Sequence, residues 1–450
     1  MAPPDPSTAE LVLRGRRVVL PQGERAASIV VAGGRVRAIE PHGAEPPVGA
    51  AVVDAGERVV LPGLVDTHVH VNEPGRTGWE GFETATRAAA AGGVTTIVDM
   101  PLNSVPATVT PAALAAKRAA AGGRCRVDVG LWGGVVPGNG DRLAPLAAAG
   151  ALGFKAFLVD SGVEEFPPVG EEELRVAMPI LRELGLPLLV HAEDPGEISP
   201  PRAGSHEAWL RSRPPGAEVA AVERLVELCR ESGAAVHVVH LSASEALPAL
   251  RAAREEGLPV TAETCPHYLA LAAGEIPAGA TEYKCAPPIR EAENRDLLWE
   301  ALSEGAIDLV ASDHSPCPPE RKAGDFRSAW GGIASLELSL AATWTAGADR
   351  GATPADLVRW MAEGPSRLAG IGDRKGRIAP GADADLVVWN PDARFRVDRD
   401  RLHQRHPVTP YAGRELRGAV ERTWVRGRLV YDRGRSDPFL GPPIGRIVTR

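Results

Sequence analysis

Gly63-Leu64-Val65-Asp66-Thr67-His68-Val69-His70 begins as an apolar strand and ends in two histidines. Side chains at positions i and i+2 of a strand point to the same face, so both imidazoles can reach one ion. Histidine nitrogens are good ligands for zinc and related ions. The pair by itself is equally consistent with two histidines of a polar face or of the core, so residues elsewhere in the chain must decide.

Seven further apolar segments follow this strand, with Ala- and Leu-rich helical stretches between them. The eight predicted strands cover 64–71, 94–101, 127–135, 153–158, 187–193, 235–242, 259–267 and 306–316. The predicted helices include 84–91, 171–184, 218–231, 243–256 and 294–304. Eight such units over roughly 300 residues are typical of a (β/α)8 barrel of the TIM type, an α/β fold. A doubly wound open sheet is the alternative.

Both ends of the 450-residue chain are instead rich in short strands. Residues 11–20 and 27–39 contain many valines, with a hairpin turn at Ala32-Gly33-Gly34-Arg35, and strand patterns return at 384–389 and 420–431. We predict that the two ends pair in one small β-sandwich domain. The predicted organisation is 1–60 and 376–450 for the β-sandwich domain with its tail, and 61–375 for the barrel.

The composition excludes several classes of protein. The net charge is -8 and basic residues are scattered singly, which argues against a nucleic-acid partner. No apolar run is long enough to span a bilayer, and residues 1–10 lack the basic and apolar segments of a signal peptide. The 5 cysteines form no C-x-x-C pair, so we expect no disulfide framework and a cytoplasmic location.

Residues that can bind a metal close three of the later strands. His191 follows residues 188–190, His240 follows 236–239, and Asp313 comes soon after the apolar segment 307–311. In a barrel the carboxyl ends of the strands meet at one rim, where catalytic residues lie. Hydrogen bonding at a strand end explains any one of these residues, but their coincidence at one rim favours a shared metal site.

Lys155 lies in the apolar strand 153–158 and is one of only five lysines in the chain. A protonated lysine beside two divalent cations is electrostatically untenable. A carbamate formed from the amine and CO2 is negatively charged, and its two oxygens can bridge two metals. A structural lysine with a lowered pKa or an ion pair is the better explanation for Lys155 alone; beside the histidines, the bridge is favoured.

These motifs resemble those of the cyclic amidohydrolases: dihydropyrimidinase (hydantoinase), dihydroorotase and allantoinase. The resemblance covers nearly the whole chain, and it also implies a homotetramer. It implies two divalent metal ions, zinc first, with cobalt, manganese, nickel or iron as alternatives. The six residues that match the ligand motifs are His68, His70, Lys155, His191, His240 and Asp313. Lys155, as N6-carboxylysine, would bridge the more buried ion on His68 and His70 to the second ion on His191 and His240, while Asp313 would complete the first site.

Within this group the sequence most resembles the allantoinases. The matching segments are 71–77, 79–82, 99–104, 284–290, 312–317 and 330–335. Dihydroorotases usually carry a carboxylate-binding arginine just after H-x-H, where this chain has Asn72, and an amide cannot replace that guanidinium. Hydantoinases usually place a tyrosine soon after the lysine strand. Here no tyrosine occurs between Lys155 and His191, and Ser161 and Gly162 leave room for a ureido substituent.

The resemblance implies hydrolysis of the ring amide of allantoin to allantoate in purine and ureide catabolism. A hydroxide bridging two metals would attack the carbonyl, and Asp313 would carry its proton to the leaving nitrogen. His267 is either a metal ligand or a residue that supports a ligand or contacts the substrate, and the second role is favoured. The residues expected to contact the cyclic ureide are Asn72, Asn103, Ser161, Cys285, Ser315 and Gly331. A hydantoinase or dihydropyrimidinase is the alternative. A non-catalytic scaffold is a second one, against which the complete ligand set argues.

Overall fold

The computed structural model describes residues 9–450. Residues 1–8, which form most of the stretch expected to lack a signal peptide, lie outside the described residues. Within residues 9–450, no helix combines the length and the apolar character needed to cross a membrane. The boundaries of the three-part division at 60/61 and 375/376 stay predictions.

The N-terminal segment contains five strands. They are β1 (Leu11–Leu20), β2 (Gly23–Ala32), β3 (Arg35–Glu40), β4 (Ala51–Asp54) and β5 (Val59–Pro62). β1 pairs antiparallel with β2, and its two halves pair parallel with β4 and β5. The β2–β3 hairpin turns at Gly33 and Gly34, whose φ angles of 58° and 76° favour glycine.

The middle of the chain contains the strands of the barrel. They are β6 (Leu64–Val69), β7 (Val94–Asp99), β8 (Asp128–Leu131), β9 (Gly133–Gly134), β10 (Phe154–Phe157), β11 (Leu188–His191), β12 (Val236–Val238), β13 (Val260–Thr264) and β14 (Leu309–Val310). Every pairing among them is parallel. β8 and β9 together form one strand position of the barrel, between β7 and β10. The Trp132 amide, which lies between β8 and β9, donates to Asp99 O at the end of β7 (3.0 Å), and the Gly133 amide donates to Gly153 O just before β10 (2.9 Å).

The two barrel sheets close on each other at the rim. His70 N donates to His314 O (2.8 Å), and His314 N donates to His68 O (3.2 Å). The end of the first barrel strand, β6, is therefore joined to His314, which follows the last barrel strand, β14. The barrel prediction is confirmed and the open doubly wound sheet is excluded.

Helices surround the barrel. Those described are α1 (Phe82–Ala91), α2 (Pro111–Ala121), α3 (Gly140–Ala148), α4 (Glu171–Leu184), α5 (His206–Ser212), α6 (Pro215–Ser232), α7 (Leu247–Glu255), α8 (Pro266–Ala270), α9 (Ala292–Glu304), α10 (Ser339–Gly347), α11 (Pro354–Val358) and α12 (Gly364–Leu368). α4 has the predicted bounds, because its buried face follows the helical period and Gly185 ends it at φ 65°.

The C-terminal segment returns to the first sheet. Its strands are β15 (Leu386–Arg396), β16 (Glu415–Val425) and β17 (Arg428–Asp432). The strand order is β17-β16-β15-β5-β1-β2-β3, with β15 antiparallel to β5. The predicted small β-domain built from both ends of the chain is therefore confirmed.

A buried ion cluster fixes the return of the chain to this sheet. Lys375 Nζ lies 2.6 Å from Asp128 Oδ2 on β8, 2.7 Å from Asp385 Oδ2 and 2.9 Å from Asp383 Oδ2. Burial alone would lower the pKa of Lys375, but the three carboxylates outweigh it and raise the pKa. Removal of one partner from such a cluster leaves uncompensated buried charge, so the cluster joins the barrel firmly to the segment entering β15.

Several barrel strands are shorter than predicted. The segment 235–242 forms a strand only over Val236–Val238, and 306–316 only over Leu309–Val310. The segment 259–267 ends as a strand at Thr264, because Pro266 begins α8. His240 and Asp313 consequently lie in the loops just beyond the strands, at the carboxyl rim.

Candidate metal centre

His68, His70 and Asp313 meet at the carboxyl end of β6. The Nε2 atoms of His68 and His70 lie 3.2 Å and 3.4 Å from Asp313 Oδ1. One potential ligand atom from each of the three residues lies within 4.8 Å of the others. All three residues are buried. The predicted i, i+2 pair does point to one side, and a carboxylate faces it.

Two further histidines extend this group. The ring centroids of His191 and His240 are 4.5 Å apart, and those of His68 and His240 are 5.4 Å apart. Burial lowers the pKa values of His70, His191 and His240, so neutral rings with free lone pairs are favoured. Nδ1 of His70 and Nδ1 of His240 have no hydrogen-bond partner among residues 9–450. In His70 the nitrogen that faces Asp313 is Nε2, so its unpaired Nδ1 points away from that carboxylate, whereas the unpaired Nδ1 of His240 is free to bind an ion.

Lys155 lies on β10, beside Leu189 of β11. Its side chain is fully buried, and within the described part of the chain Nζ has no hydrogen-bond partner. Burial lowers the pKa of Lys155 to about 7. No carboxylate among the described residues lies within hydrogen-bond distance of the Lys155 amine, which argues against an ion pair. The amine is therefore not engaged in a hydrogen bond that would oppose its modification.

The backbone is strained at this rim. Among residues 9–450, four non-glycine residues have positive φ, and three are Asn72 (64°), His240 (40°) and Asp313 (44°). Such conformations are unfavourable for residues with a Cβ and concentrate at functional sites. The turned backbone explains why His240 and Asp313 face the centre although they lie past the strand ends.

Glu263 is a part of the centre that the sequence analysis missed. Its Oε1 lies 2.5 Å from His68 Nδ1, and its Oε2 lies 3.0 Å from His237 Nε2. Burial alone would raise the pKa of Glu263, but the two histidines lower it to about 2. The carboxylate therefore orients His68 so that Nε2 faces Asp313, as carboxylates commonly do behind metal-binding histidines. The signal in the sequence was an acidic residue inside the apolar strand 259–267.

Glu193 has the same relation to His191. Its Oε2 lies 2.6 Å from His191 Nε2, and Arg213 forms an ion pair with the same carboxylate. Burial alone would raise the pKa of Glu193, but Arg213 and His191 lower it. With Nε2 held in this way, Nδ1 is the nitrogen of His191 that remains for an ion.

His267 lies beside Asp313 at the start of α8. One of its nitrogens, the Cys265 thiol and an Asp313 oxygen lie within 4.8 Å of one another. Neither ring nitrogen has a hydrogen-bond partner in residues 9–450, and burial lowers the pKa of His267 to about 4. The ring is thus neutral, and it lies close enough to the Asp313 carboxylate to contact a ligand bound beside it.

Three of the expected substrate contacts are held by hydrogen bonds within the protein. Asn103 Nδ2 donates to Asn72 Oδ1 (3.0 Å), and Asn72 Nδ2 donates to Pro316 O (3.4 Å). Ser161 Oγ donates to Phe166 O in its own loop (2.6 Å). The two amides are therefore brought together, while the serine hydroxyl is turned into its loop.

The other three expected contacts, Cys285, Ser315 and Gly331, lie in segments that pack on one another. Gly331 packs against the Cys285–Ala286 peptide: a Cβ added to this glycine would lie 4.0 Å from Ala286 N. Gly332 packs so closely on Ser315 that a Cβ would lie 2.5 Å from Ser315 O. Burial raises the pKa of the Cys285 thiol to about 12, so it is no nucleophile at neutral pH.

Comparison with known proteins agrees with this geometry. The model of the amidohydrolase family matches residues 59–430, and the chain belongs to this metal-dependent family of enzymes. It is a cyclic amidohydrolase. An allantoinase from Streptomyces avermitilis is 52% identical over 447 residues, which cover 99% of each chain. An allantoinase from Arabidopsis thaliana is 44% identical over 450 residues, covering 94% of this chain and 88% of that protein.

Solved structures show the same fold. The L-hydantoinase (dihydropyrimidinase) from Arthrobacter aurescens superimposes with a TM-score of 0.92 at 33% identity, covering 98% of this chain and 100% of that chain. The dihydropyrimidinase from Brevibacillus agri NCHU1002 gives a TM-score of 0.86 at 28% identity, with 98% of each chain covered.

Proposed function

We propose that this protein hydrolyses a ring amide of allantoin and releases allantoate, as a step of purine catabolism. The observation that carries the proposal is the convergence of the six residues at one barrel rim: His68, His70, Lys155, His191, His240 and Asp313. The allantoinases that match nearly the whole chain support the choice of substrate.

Two divalent ions, with zinc as the first choice and cobalt, manganese, nickel or iron as alternatives, fit this set of donors. His68, His70 and Asp313 would hold one ion, and His191 with His240 the other. The close approach of His68 and His70 to Asp313 supports the first site, and the contact between the rings of His191 and His240 supports the second. Bound ions of this kind lower the pKa of water from about 15.7 to about 7 and polarise a carbonyl.

Lys155 would join the two halves of the centre as a carbamate. The lone pair of its neutral amine would form a bond to the carbon of CO2, one C=O π bond would open so that its electron pair moves to oxygen, and the nitrogen would lose a proton to water. The amine meets two requirements of this reaction: burial favours its neutral form, and no hydrogen bond within residues 9–450 holds it. The product carries one negative charge, which offsets the charge of two cations.

Asp313 would move the proton. Burial alone would raise the pKa of Asp313, but His68 and His70 outweigh it and hold it well below its usual range. The carboxylate is therefore ionised at neutral pH, as a proton acceptor must be. It can accept a proton from water and donate it to the ring nitrogen as the amide bond breaks.

A panel of substrates tests the proposal. With divalent metal present, we expect allantoin to be hydrolysed with a kcat/KM above those for hydantoin and dihydrouracil. The likeness to solved hydantoinases makes a hydantoinase or dihydropyrimidinase the second candidate. Turnover of hydantoin or dihydrouracil without turnover of allantoin would establish that candidate and exclude the first.

We also propose that the protein is a cytoplasmic homotetramer. The 5 cysteines are all buried and unpaired, which supports a reducing compartment. The homotetramer rests on the resemblance, and light scattering of the purified protein tests it.

A further inference from the structure

Lys322 binds main-chain carbonyls from two separate segments at the mouth of the barrel. Its Nζ lies 2.6 Å from Gly332 O and 2.8 Å from Trp330 O, and 3.3 Å from both Thr281 O and Lys284 O. The side chain is half-buried. An ammonium group has three N–H donors and no acceptor, so it is suited to a ring of carbonyls that face one another.

Both segments carry expected substrate contacts. Lys284 precedes Cys285, and Gly331 lies between the two carbonyls on the other segment. Gly332 N also donates to Lys284 O (2.9 Å), so the segments touch directly. Through the close packing of Gly332 on Ser315, the same arrangement reaches the loop that carries Asp313.

The carbonyls need this cation. Four carbonyl dipoles that point to one spot repel one another. Thr281 O and Lys284 O also accept backbone hydrogen bonds, from Lys284 N (3.0 Å) and Gly332 N (2.9 Å). Trp330 O and Gly332 O have Lys322 as their donor, and without it they would lose their hydrogen bond. Burial lowers the pKa of Lys322 to about 8, so the ammonium form still predominates at neutral pH. Among residues 9–450, its hydrogen bonds go to the backbone and none to a carboxylate side chain.

We propose that Lys322 is a positioning residue that sets the distance between the 281–285 and 330–332 segments, and thereby the affinity for the cyclic ureide. The proposal rests on the proposed function for the identity of the substrate. Lys322 acts through the backbone of Cys285 and Gly331 and takes no part in metal binding.

Kinetics of Lys322→Met provide the first test. We expect KM for allantoin to rise about tenfold, as for the loss of one charge-assisted hydrogen bond, with kcat and bound metal nearly unchanged. Lys322→Arg keeps the charge and should restore part of the affinity. Arg327→Met is the matched control, because Arg327 is an exposed cation nearby in the chain that pairs with Asp325 (2.7 Å). It should leave KM unchanged.

Hydrogen exchange provides a test that needs no activity. Lys322→Met should speed amide exchange in both 281–286 and 330–333, whereas Arg327→Met should not. Unchanged exchange in these segments, or a loss of metal with a fall in kcat, would overturn the proposal. Should Lys322→Met not fold, Lys322→Gln decides by the same readouts. If the unmodified protein does not hydrolyse allantoin, the proposed function fails, and exchange alone decides the role of Lys322.

Discussion

Two parts of the barrel mouth use their polar groups in opposite ways. We call the six expected metal ligands and the residues that orient them the floor, and the loop residues expected to contact the substrate the rim. On the floor, buried nitrogens of His70, His240 and Lys155 have no hydrogen-bond partner in residues 9–450. At the rim, Asn72 and Asn103 bond to each other, and Ser161 bonds to its own loop. Unpaired buried nitrogens are costly in the protein alone, so the floor is organised for an added ion. The polar groups of these rim residues already have hydrogen-bond partners in the protein, which keep the loops in a defined conformation.

This difference predicts where substitutions act. Changes on the floor should reduce metal binding or kcat, because they remove ligands, their supports or a proton carrier. Changes at the rim should act mainly on KM, because hydrogen bonds to the substrate replace bonds that the rim makes to itself. The size of the effect should fall from the floor to the rim.

The largest effect is expected for Asp313→Asn. It removes both a proposed ligand and the proposed proton carrier, so kcat/KM for allantoin should fall by about 10³-fold or more. Asp325→Asn is the control, because Asp325 is not among the expected ligands and pairs with exposed Arg327. Steady-state rates measured with excess metal check this. A fall of only a few-fold would remove Asp313 from the proposed chemistry.

Glu263→Gln should have the next largest effect. The amide keeps the size of the carboxylate but loses the charge that orients His68 and His237, so metal affinity should fall about 10- to 100-fold. Competition with a chelator measures this affinity. Saturating metal should restore most of kcat. Glu256→Gln, which alters an exposed pair with Arg230, should change neither quantity. Unchanged metal affinity in Glu263→Gln would show that His68 needs no such support.

Asn103→Ala should have a smaller effect, confined to the substrate. Asn72 loses its partner, and the loss of one hydrogen bond of about 1 kcal/mol should raise KM about fivefold. Metal content should stay the same. Loss of metal in this variant would contradict the separation between floor and rim.

Ser161→Ala should have the smallest effect, with KM within about twofold of the unmodified protein. Its hydroxyl already donates to Phe166 O, so any contact with the substrate would come from the backbone. A tenfold rise in KM would instead mean that the hydroxyl turns toward the substrate when it binds.

Local patterns in the sequence predicted the fold and suggested candidate residues for the floor. Strands and ligands coincide in the chain, as at His68 and His191, and a buried lysine in an apolar strand is conspicuous at Lys155. The conformation of residues beyond the strand ends was harder to predict from the sequence. The turned backbone at His240 and Asp313 results from tertiary packing, and no short pattern specifies it.

Residues that act through others could not be predicted in this way. Glu263 reaches His68 across 195 positions of sequence, and Lys322 is bound by carbonyls, which carry no side-chain signal. His237 is buried and bonded to Glu263, so it lies behind the carboxylate that orients His68. Long-range contacts of this kind require the folded chain.

Titration of the metal-free protein with zinc in the presence of CO2 tests the central claim most directly. We predict that allantoin hydrolysis is absent without metal and rises to a plateau near two equivalents per chain, with Lys155 gaining the mass of one CO2. Lys155→Gln should bind less metal and stay inactive. Full activity in metal-free protein, or in Lys155→Gln, would contradict the account.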